Sequence, residues 1–519
     1  LSKLIKNFAK VGSATLLSRL LGFIRDVMLA ATVGTGPVAD AFVVAFRLPN
    51  LFRRLFAEGA FNSAFVPLFA RKLEEEGQRG ARQFAGEVGA GLLSVLLLIT
   101  ALAQIAMPLL VLVLAPGYSS EADKFALTTL MARITFPYLI FMSLLAFVSG
   151  ILNSLGRFFM AALAPVMLNV VMICVFVIVW ALGDLSDRST GILLAWGVAV
   201  AGVVQLLLVL VDLRRVGFSV PVLRPRFTKG VKRLLVLGVP GILAGGITQI
   251  NVTVGTIIAS LQESANSYLY YADRVYQLPL GVVGIAIGVV LLPSLTQQLR
   301  AGEHKAALHA QNRSMEFALA LTLPATLALL IIPDAIVAVL FQRGAFSAEA
   351  VAQTAAALRA FAFGLPAFVL IKMLSPGYFA REDTKTPMHF AAASMVVNVG
   401  LSLALFPLLS HVGIAVATAA AGWVNAALLG VSLWRRGHFQ LDAALMRRVP
   451  LLLLASVLMG GVVYLLEGAL ATYLWQGVFA VRFAALMALV LVGVASFALF
   501  VQLSGAVDLL GHTKRIVRR

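Results

Sequence analysis

Residues 38–68 read VADAFVVAFRLPNLFRRLFAEGAFNSAFVPL. This stretch decides the fold, because Asp40, Arg47, Arg53, Arg54 and Glu58 stand in it among residues that are otherwise almost all apolar. If Arg53-Arg54 were a loop, the helix before it would cover only 38–52, short of the roughly 17 residues needed to cross a bilayer. The stretch therefore reads as one long helix, bent or broken at Pro49, that carries charge inside the membrane.

The same ruler of about 20 mostly apolar residues gives fourteen spans over the whole chain. They fall near 9–33, 38–68, 83–115, 125–152, 159–183, 190–213, 230–262, 268–299, 310–338, 351–378, 387–408, 411–434, 449–467 and 481–508. Turn-like or charged segments separate them, such as Gly34-Thr35-Gly36-Pro37 and Ala115-Pro116-Gly117. Of 519 residues, 61% are hydrophobic and 12% charged, where soluble proteins run near 45–50% and about 25%. The fold class is an all-α polytopic membrane protein with no room for a sizeable soluble domain. The lone Cys174 can form neither an intrachain disulfide nor a cysteine metal cluster. Arg19, Arg25 and Asp26 in the first apolar segment, with no cleavage site after it, argue against a removable signal peptide.

A net charge of +18 would suggest nucleic acid in a soluble chain. Here its placement gives topology instead. With the N-terminus in the cytoplasm, inner segments hold 28 of the 41 Lys and Arg, while outer loops and helix ends hold Lys124, Arg133, Arg188, Arg343, Arg359 and Arg482. That asymmetry is the positive-inside pattern, and an even number of spans puts both termini inside. Nucleic acid is not an expected partner.

The chain also resembles itself. Gly12 and Gly238 are 226 apart, as are Pro67–Leu73 and Pro293–Leu299; Pro137 and Pro366 are 229 apart, as are Asn169 and Asn398. The offset predicts two six-helix lobes of like orientation, 1–225 and 226–437, with two further helices and a tail in 438–519. Parallel repeats of this kind place a site at the lobe interface near the midplane.

Charge retained inside the bilayer costs about 2.5–3.5 kcal/mol per residue and marks cavities or partners. In the first span Arg19 and Asp26 lie seven apart on nearly one face, with Ser18 and Arg25 on the neighbouring stripe. In the second span Asp40, Arg47, Arg54 and Glu58 fall close to one face, with Asn50 nearby; Asp273-Arg274 and Lys372 follow in the second lobe. The bland reading is that these groups pair and lock helices together. The cations outnumber the acids, however, and a basic cavity of low dielectric invites an anion. Arginine's planar fork suits phosphate or diphosphate. The residues alone leave open which of Arg53 and Arg54 enters the cavity. Asp40 has two readings: a partner for a buried arginine, or an outer gate that bridges to the second lobe. Arg274 is a poor partner for it, being wanted for phosphate.

Nothing points to an enzyme. The six histidines show no ligand spacing, and no Gly-rich loop precedes Lys-Ser/Thr. No metal or cofactor is expected.

At these residues the chain resembles the MurJ (MviN) family. The likeness is carried by Ser18-Arg19-Leu20-Leu21-Gly22-Phe23-Ile24-Arg25-Asp26, Ala39-Asp40-Ala41-Phe42, Arg47 through Phe61, and Tyr270-Tyr271-Ala272-Asp273-Arg274 followed by Gln277-Leu278-Pro279. The resemblance spans essentially the whole chain. It implies a MATE-like exporter fold of two six-helix lobes around a central cavity plus two extra helices, set in the bacterial inner membrane. It also implies flipping of lipid II, the undecaprenyl-diphosphate-linked peptidoglycan precursor, from the cytoplasmic to the outer leaflet.

Residue by residue, it implies that Arg19, Arg25, Arg53 and Arg274, with Ser18 and Asn50, line the cavity and hold the substrate. Asp26, Asp40, Glu58 and Asp273 would pair or gate. Spans in 449–508 would offer a groove for the prenyl tail. Expected partners are lipid II and membrane lipids, with cell-wall synthesis or division proteins as candidates. Sodium-coupled relatives carry acids in the second lobe, whereas spans 230–262 and 387–434 here contain no Asp or Glu. A sodium site of that kind is therefore not expected. Membrane potential acting on the cationic cavity suits such a chain, and the choice between membrane potential and Na+ or H+ coupling stays open. The alternative is a MATE-like exporter of a drug or another lipid-linked oligosaccharide, for which a cationic drug would want an acidic or aromatic cavity.

Overall fold

The computed structural model describes residues 2–56, 60–183, 185–226 and 228–505, without the side chains of 2–10, 55–56, 60–63, 235, 237–248 and 282–290. Those residues are helical almost throughout, and the chain falls into two compact units, Leu1–Ser267 and Tyr268–Arg519.

The first unit is built from α1 (Ser2–Val33), α2 (Pro37–Phe56), α3 (Ala60–Leu114), a 3-10 turn at Pro116–Ser120, α4 (Ala122–Thr135), α5 (Tyr138–Ser154), α6 (Phe159–Leu182), α7 (Asp187–Arg215) and α8 (Lys229–Ala259). Here α1 packs on α6, α6 on α7, α2 on α4, and α3 on both α5 and α8. Apolar contact alone gives little selectivity between helices in lipid, so buried polar ties matter. One such tie runs across three helices: Tyr138 OH donates to Gln205 Oε1 (3.2 Å), and Gln205 Nε2 donates to the Ala164 carbonyl (2.9 Å).

One expectation changes in this unit. The stretch 38–68 is helical on both sides of residues 57–59, in α2 to Phe56 and in α3 from Ala60, and those three residues lie outside the described ones. Residues 69–82, which read as a loop, continue α3 as helix with a single break at Gly77, where φ is +66°. Arg71 pairs with Glu75 at 2.8 Å and Lys72 with Glu76, one helical turn apart. Such pairs stabilise a solvated helix, so a charged run that looks like a linker extends the span instead.

The second unit holds α9 (Ala265–Arg300, begun in the first), α10 (His304–Ile331), α11 (Pro333–Phe341), α12 (Ala348–Phe379), α13 (Lys385–Leu409), α14 (His411–Arg435), α15 (Ala443–Ala469), α16 (Ala471–Trp475) and α17 (Phe479–Ser504). Gly364 lets α12 approach α14 closely, since a Cβ there would lie 2.9 Å from the Ala419 Cα. Helix α15 is bolted to α10 at one end. Arg313 Nη2 contacts both Asp442 carboxylate oxygens (2.7 and 2.6 Å), and Arg448 Nη1 contacts Glu316 Oε1 at 2.8 Å. Further along, Gly460 admits Ile331, and α17 packs Leu486 and Leu489 into one cluster with Val463 of α15.

Among the described residues ten helical segments are long and apolar enough to cross a membrane. The first two helices fall outside that set because of the charge they carry: Arg19, Arg25 and Asp26 in α1, and Asp40, Arg47, Arg53 and Arg54 in α2.

Candidate functional site

In the first unit the charged residues of α1 and α2 separate into three arrangements. The first centres on Arg25. Burial of the Asp26 carboxyl demands a cation, and the adjacent Arg25 turns back to it, with Nε and Nη2 at 3.1 and 2.8 Å from Oδ1. Arg25 Nη1 donates to Asn169 Oδ1 on α6 (3.0 Å), while Asn169 Nδ2 donates to the Ser18 carbonyl (2.9 Å). Gly22 faces this amide, and a Cβ there would meet it in ordinary contact at 3.5 Å. Arg19, although seven residues from Asp26, stays uncovered by protein and takes no part. Sequence had grouped Arg19 with Asp26; packing groups Arg25 with Asp26, Asn169 and Ser18.

The second arrangement lies at the far end of α2. Asn50 Nδ2 donates to the Phe46 carbonyl (2.8 Å), which aims its Oδ1 at Arg53 Nε (3.1 Å). Arg53 is half-buried and Arg54 exposed. Arg47 donates to Thr256 Oγ1 of α8. Glu58 lies outside the described residues.

The third surrounds Asp40, which is completely buried. Its carboxylate accepts four contacts: Lys124 Nζ (3.1 Å), the Ser264 N–H (3.0 Å), the Ser267 N–H (3.0 Å) and the Ser267 hydroxyl (2.6 Å). Lys124 is itself 3% exposed and stands over the Tyr118 ring at 4.3 Å. The Tyr118 hydroxyl accepts from Asn266 Nδ2 (3.2 Å), and the Gly117 N–H donates to Ser260 Oγ (3.1 Å). Fit is tight here, because a Cβ on Gly117 would fall 2.1 Å from the Ser260 carbonyl oxygen. This junction corrects one expectation. The charge partner of Asp40 is no arginine but Lys124, a residue that read as a topological charge at the outer end of the fourth span. A lysine entering a helix where the outer ends of spans two and four should meet was the available signal.

In the second unit Arg274 stacks on Tyr270, its Cζ 4.7 Å from the ring centre, and Nη2 donates to the Tyr270 hydroxyl (3.3 Å). Asp273 accepts from Gln277 one turn on. Both are half-buried. Among the described residues no group of three or more His, Cys, Asp or Glu could hold a metal ion.

Long apolar helices in which retained cations outnumber acids define a multi-pass membrane protein, and its fold is MATE-like. A solved structure described as the inward-facing conformation of a multidrug resistance MATE family transporter of the MOP superfamily matches with a TM-score of 0.66. That match covers 82% of this chain and 97% of the other at 15% identity, which is a likeness of fold.

The profile of the family described as lipid II flippase MurJ matches residues 29–485, and the chain belongs to that family. It is 50% identical to a probable lipid II flippase MurJ of Rhizobium tropici over 99% of this chain and 97% of the relative. It is 35% identical to the lipid II flippase MurJ of Burkholderia cenocepacia, over 89% and 90%. A solved structure described as lipid II flippase MurJ, inward closed conformation, matches with a TM-score of 0.79 at 26% identity, covering 95% of this chain and 98% of that one.

Proposed function

We propose that this chain translocates lipid II from the cytoplasmic to the outer leaflet by alternating access. Membership of the flippase family carries the reading, and the chemistry of α1 and α2 agrees with it. The head group enters an inward-open cavity, and its diphosphate meets Arg19, Arg25, Arg53 and Arg274, with Ser18 and Asn50 beside them. The buried acid and amide give Arg25 a fixed orientation before any ligand arrives. A preset planar fork loses less freedom on meeting a diphosphate than a mobile ammonium would.

The architecture proposed is fourteen spans with both termini cytoplasmic, arranged as lobes 1–225 and 226–437 plus the pair in 438–519. Supporting the repeat, the helix starts at 122, 159 and 187 recur at 348, 385 and 411, with offsets of 226, 226 and 224. With that topology Asp40, Lys124, Gly117 and the turn 260–267 all stand at the outer end, and their contacts serve as the outer closure. Opening to the outside then requires Asp40 to give up the Ser264 and Ser267 donors. Asp26, Glu58 and Asp273 act as pairing groups within the cavity lining. A drug exporter of the same fold is the weaker reading, since the retained charge is basic.

The test is replacement of the cell's own flippase by this chain, followed by measuring the leaflet in which lipid II accumulates. Wild type should keep lipid II moving outward, and Arg53→Ala should leave it inside at normal protein abundance; Arg25→Ala, which also unpairs the buried Asp26, should leave it inside at reduced abundance. Wild-type flipping by all four arginine-to-alanine variants would remove the diphosphate site.

A further inference from the structure

A second cationic feature lies in the other unit, on residues given no part in binding the diphosphate. Arg343 follows α11, and Arg482 stands in the first turn of α17. Arg343 Nη2 donates to the last carbonyls of α11, Val339 (2.8 Å) and Leu340 (2.7 Å), and its Cζ stacks 4.2 Å from the Phe479 ring centre. Arg482 Nε donates to the Leu474 carbonyl (3.0 Å), and Nη2 to Gln342 Oε1 (2.9 Å). Gln342 and Phe479 thus bring the two guanidinium groups side by side. Burial, and then the charge of Arg482, lower the pKa of Arg343.

Among the described residues neither arginine pairs with a carboxylate. Asp334, an acid of α11, is taken by Arg359 at 2.9 Å. Each arginine has five N–H donors, and Arg343 Nε and Nη1 and Arg482 Nη1 have no protein acceptor among the described residues. Two adjacent cations, held by neutral acceptors and keeping donors in reserve, are stabilised by an added anion.

The position says which anion. Helices α10 and α15 run about 30 Å from the Arg313–Asp442 and Arg448–Glu316 pairs at one end to this site at the other. That length spans the hydrocarbon layer, so the arginines stand at the lipid–water interface. Around them Tyr473, Trp475, Phe479 and Phe483 are exposed, the aromatic composition of a membrane interface. Apolar side chains below, Leu465 and Leu491 among them, are also uncovered and suit acyl chains.

We propose that Arg343 and Arg482 form a binding site for the phosphate of an anionic glycerophospholipid at one membrane face of α11 and α17. The lipid's phosphodiester takes the spare guanidinium donors and its acyl chains lie along α15 and α17.

The test uses the full chain in detergent and native mass spectrometry, titrating dioleoylphosphatidylglycerol against dioleoylphosphatidylcholine. Wild type should prefer the anionic lipid by about thirtyfold, from roughly one interfacial charge's worth of attraction for each of the two arginines. Arg343→Gln with Arg482→Gln should lose that preference, and Arg359→Gln, an arginine with its own acid, should keep it. If the double variant does not fold, Arg482→Lys alone should fold and retain part of the preference. An unchanged preference in the double variant overturns the site. So does displacement of the phospholipid by an equimolar polyprenyl diphosphate, which would make the occupant the transported lipid.

Discussion

Lys124 Nζ lies 3.1 Å from Asp40 Oδ2, with the two side chains 2% and 0% exposed. Nothing in the spacing of the two residues announces this pair. A buried ion pair is weak evidence of net stability, but breaking one side leaves an uncompensated charge at about 3–5 kcal/mol. Lys124→Gln should therefore cut folded protein sharply. Adding Asp40→Asn should restore abundance, because the amide oxygen still accepts from Ser267. If the junction closes the outer side, that double variant will fold yet flip poorly, having lost the electrostatic hold. Recovery of abundance and flipping together would make the pair structural and end the gating proposal.

Gly117 offers a test of the same junction without touching charge. Its missing side chain faces the Ser260 backbone, with the carbonyl carbon 2.6 Å from where a Cβ would sit. Backbone cannot yield as a flexible side chain can, so Gly117→Val should push the Pro116–Ser120 turn away from α8. Overpacking of this kind costs about 1–3 kcal/mol. Ser260→Cys is expected to react slowly with an external thiol reagent in the parent and severalfold faster beside Gly117→Val. Equal labelling rates would show that the turn is not held there.

The apolar spans were legible because length and composition suffice to mark them, and α6, α7, α13 and α14 lie where apolar runs predict them. Helix α3 was not, since Arg71–Glu76 is a helix by side-chain pairing in water rather than by apolar character. The concentration of charge in α1 and α2 was visible, and so was the oddness of Asp40. Its partner was not. Which cation meets Asp40 depends on how the Pro116–Ser120 turn and residues 260–267 fold over it, and that is a tertiary outcome. Asn169 illustrates the same limit: it marked a repeat in the sequence, whereas its bond to Arg25 exists only because α6 packs on α1.

Asp383, in the turn between α12 and α13, provides a pH signature outside the spans. Hydrogen bonds from the Thr386 N–H (3.0 Å) and hydroxyl (2.7 Å), with Arg436 at 2.8 Å, hold its pKa at about 2 against an ordinary 3.8. A depressed carboxyl stabilises the fold fully above 3.8, and that contribution disappears as pH falls through about 2. Solvent screening keeps it to roughly 1 kcal/mol or less. Melting in detergent at pH 5, 4 and 3 should show Asp383→Asn less stable than wild type at pH 5, the gap narrowing toward pH 3. A gap independent of pH would assign the effect to the lost hydrogen bonds alone.

Asn169 decides whether Arg25 is positioned or merely present. Its amide joins the Arg25 guanidinium to the Ser18 carbonyl, so one side chain fixes both the α1–α6 contact and the direction of the fork. If Asn169 only packs helices, Asn169→Ala and Asn169→Asp should lower abundance and flipping in proportion. If it positions Arg25, the two variants part company. Alanine removes an acceptor, at about 1–3 kcal/mol for a buried donor left unmatched, and should reduce both abundance and transport moderately. Aspartate keeps the acceptor and strengthens its hold on Arg25, but it cannot donate to the Ser18 carbonyl, so abundance should fall moderately, as with alanine. It also sets a second carboxylate beside the guanidinium, next to Asp26, where a diphosphate must compete with it. Abundance like that of the alanine variant, with flipping reduced a further tenfold or more, is the expected result. An aspartate variant that flips at the wild-type rate would mean that Arg25 does not meet the substrate's charge.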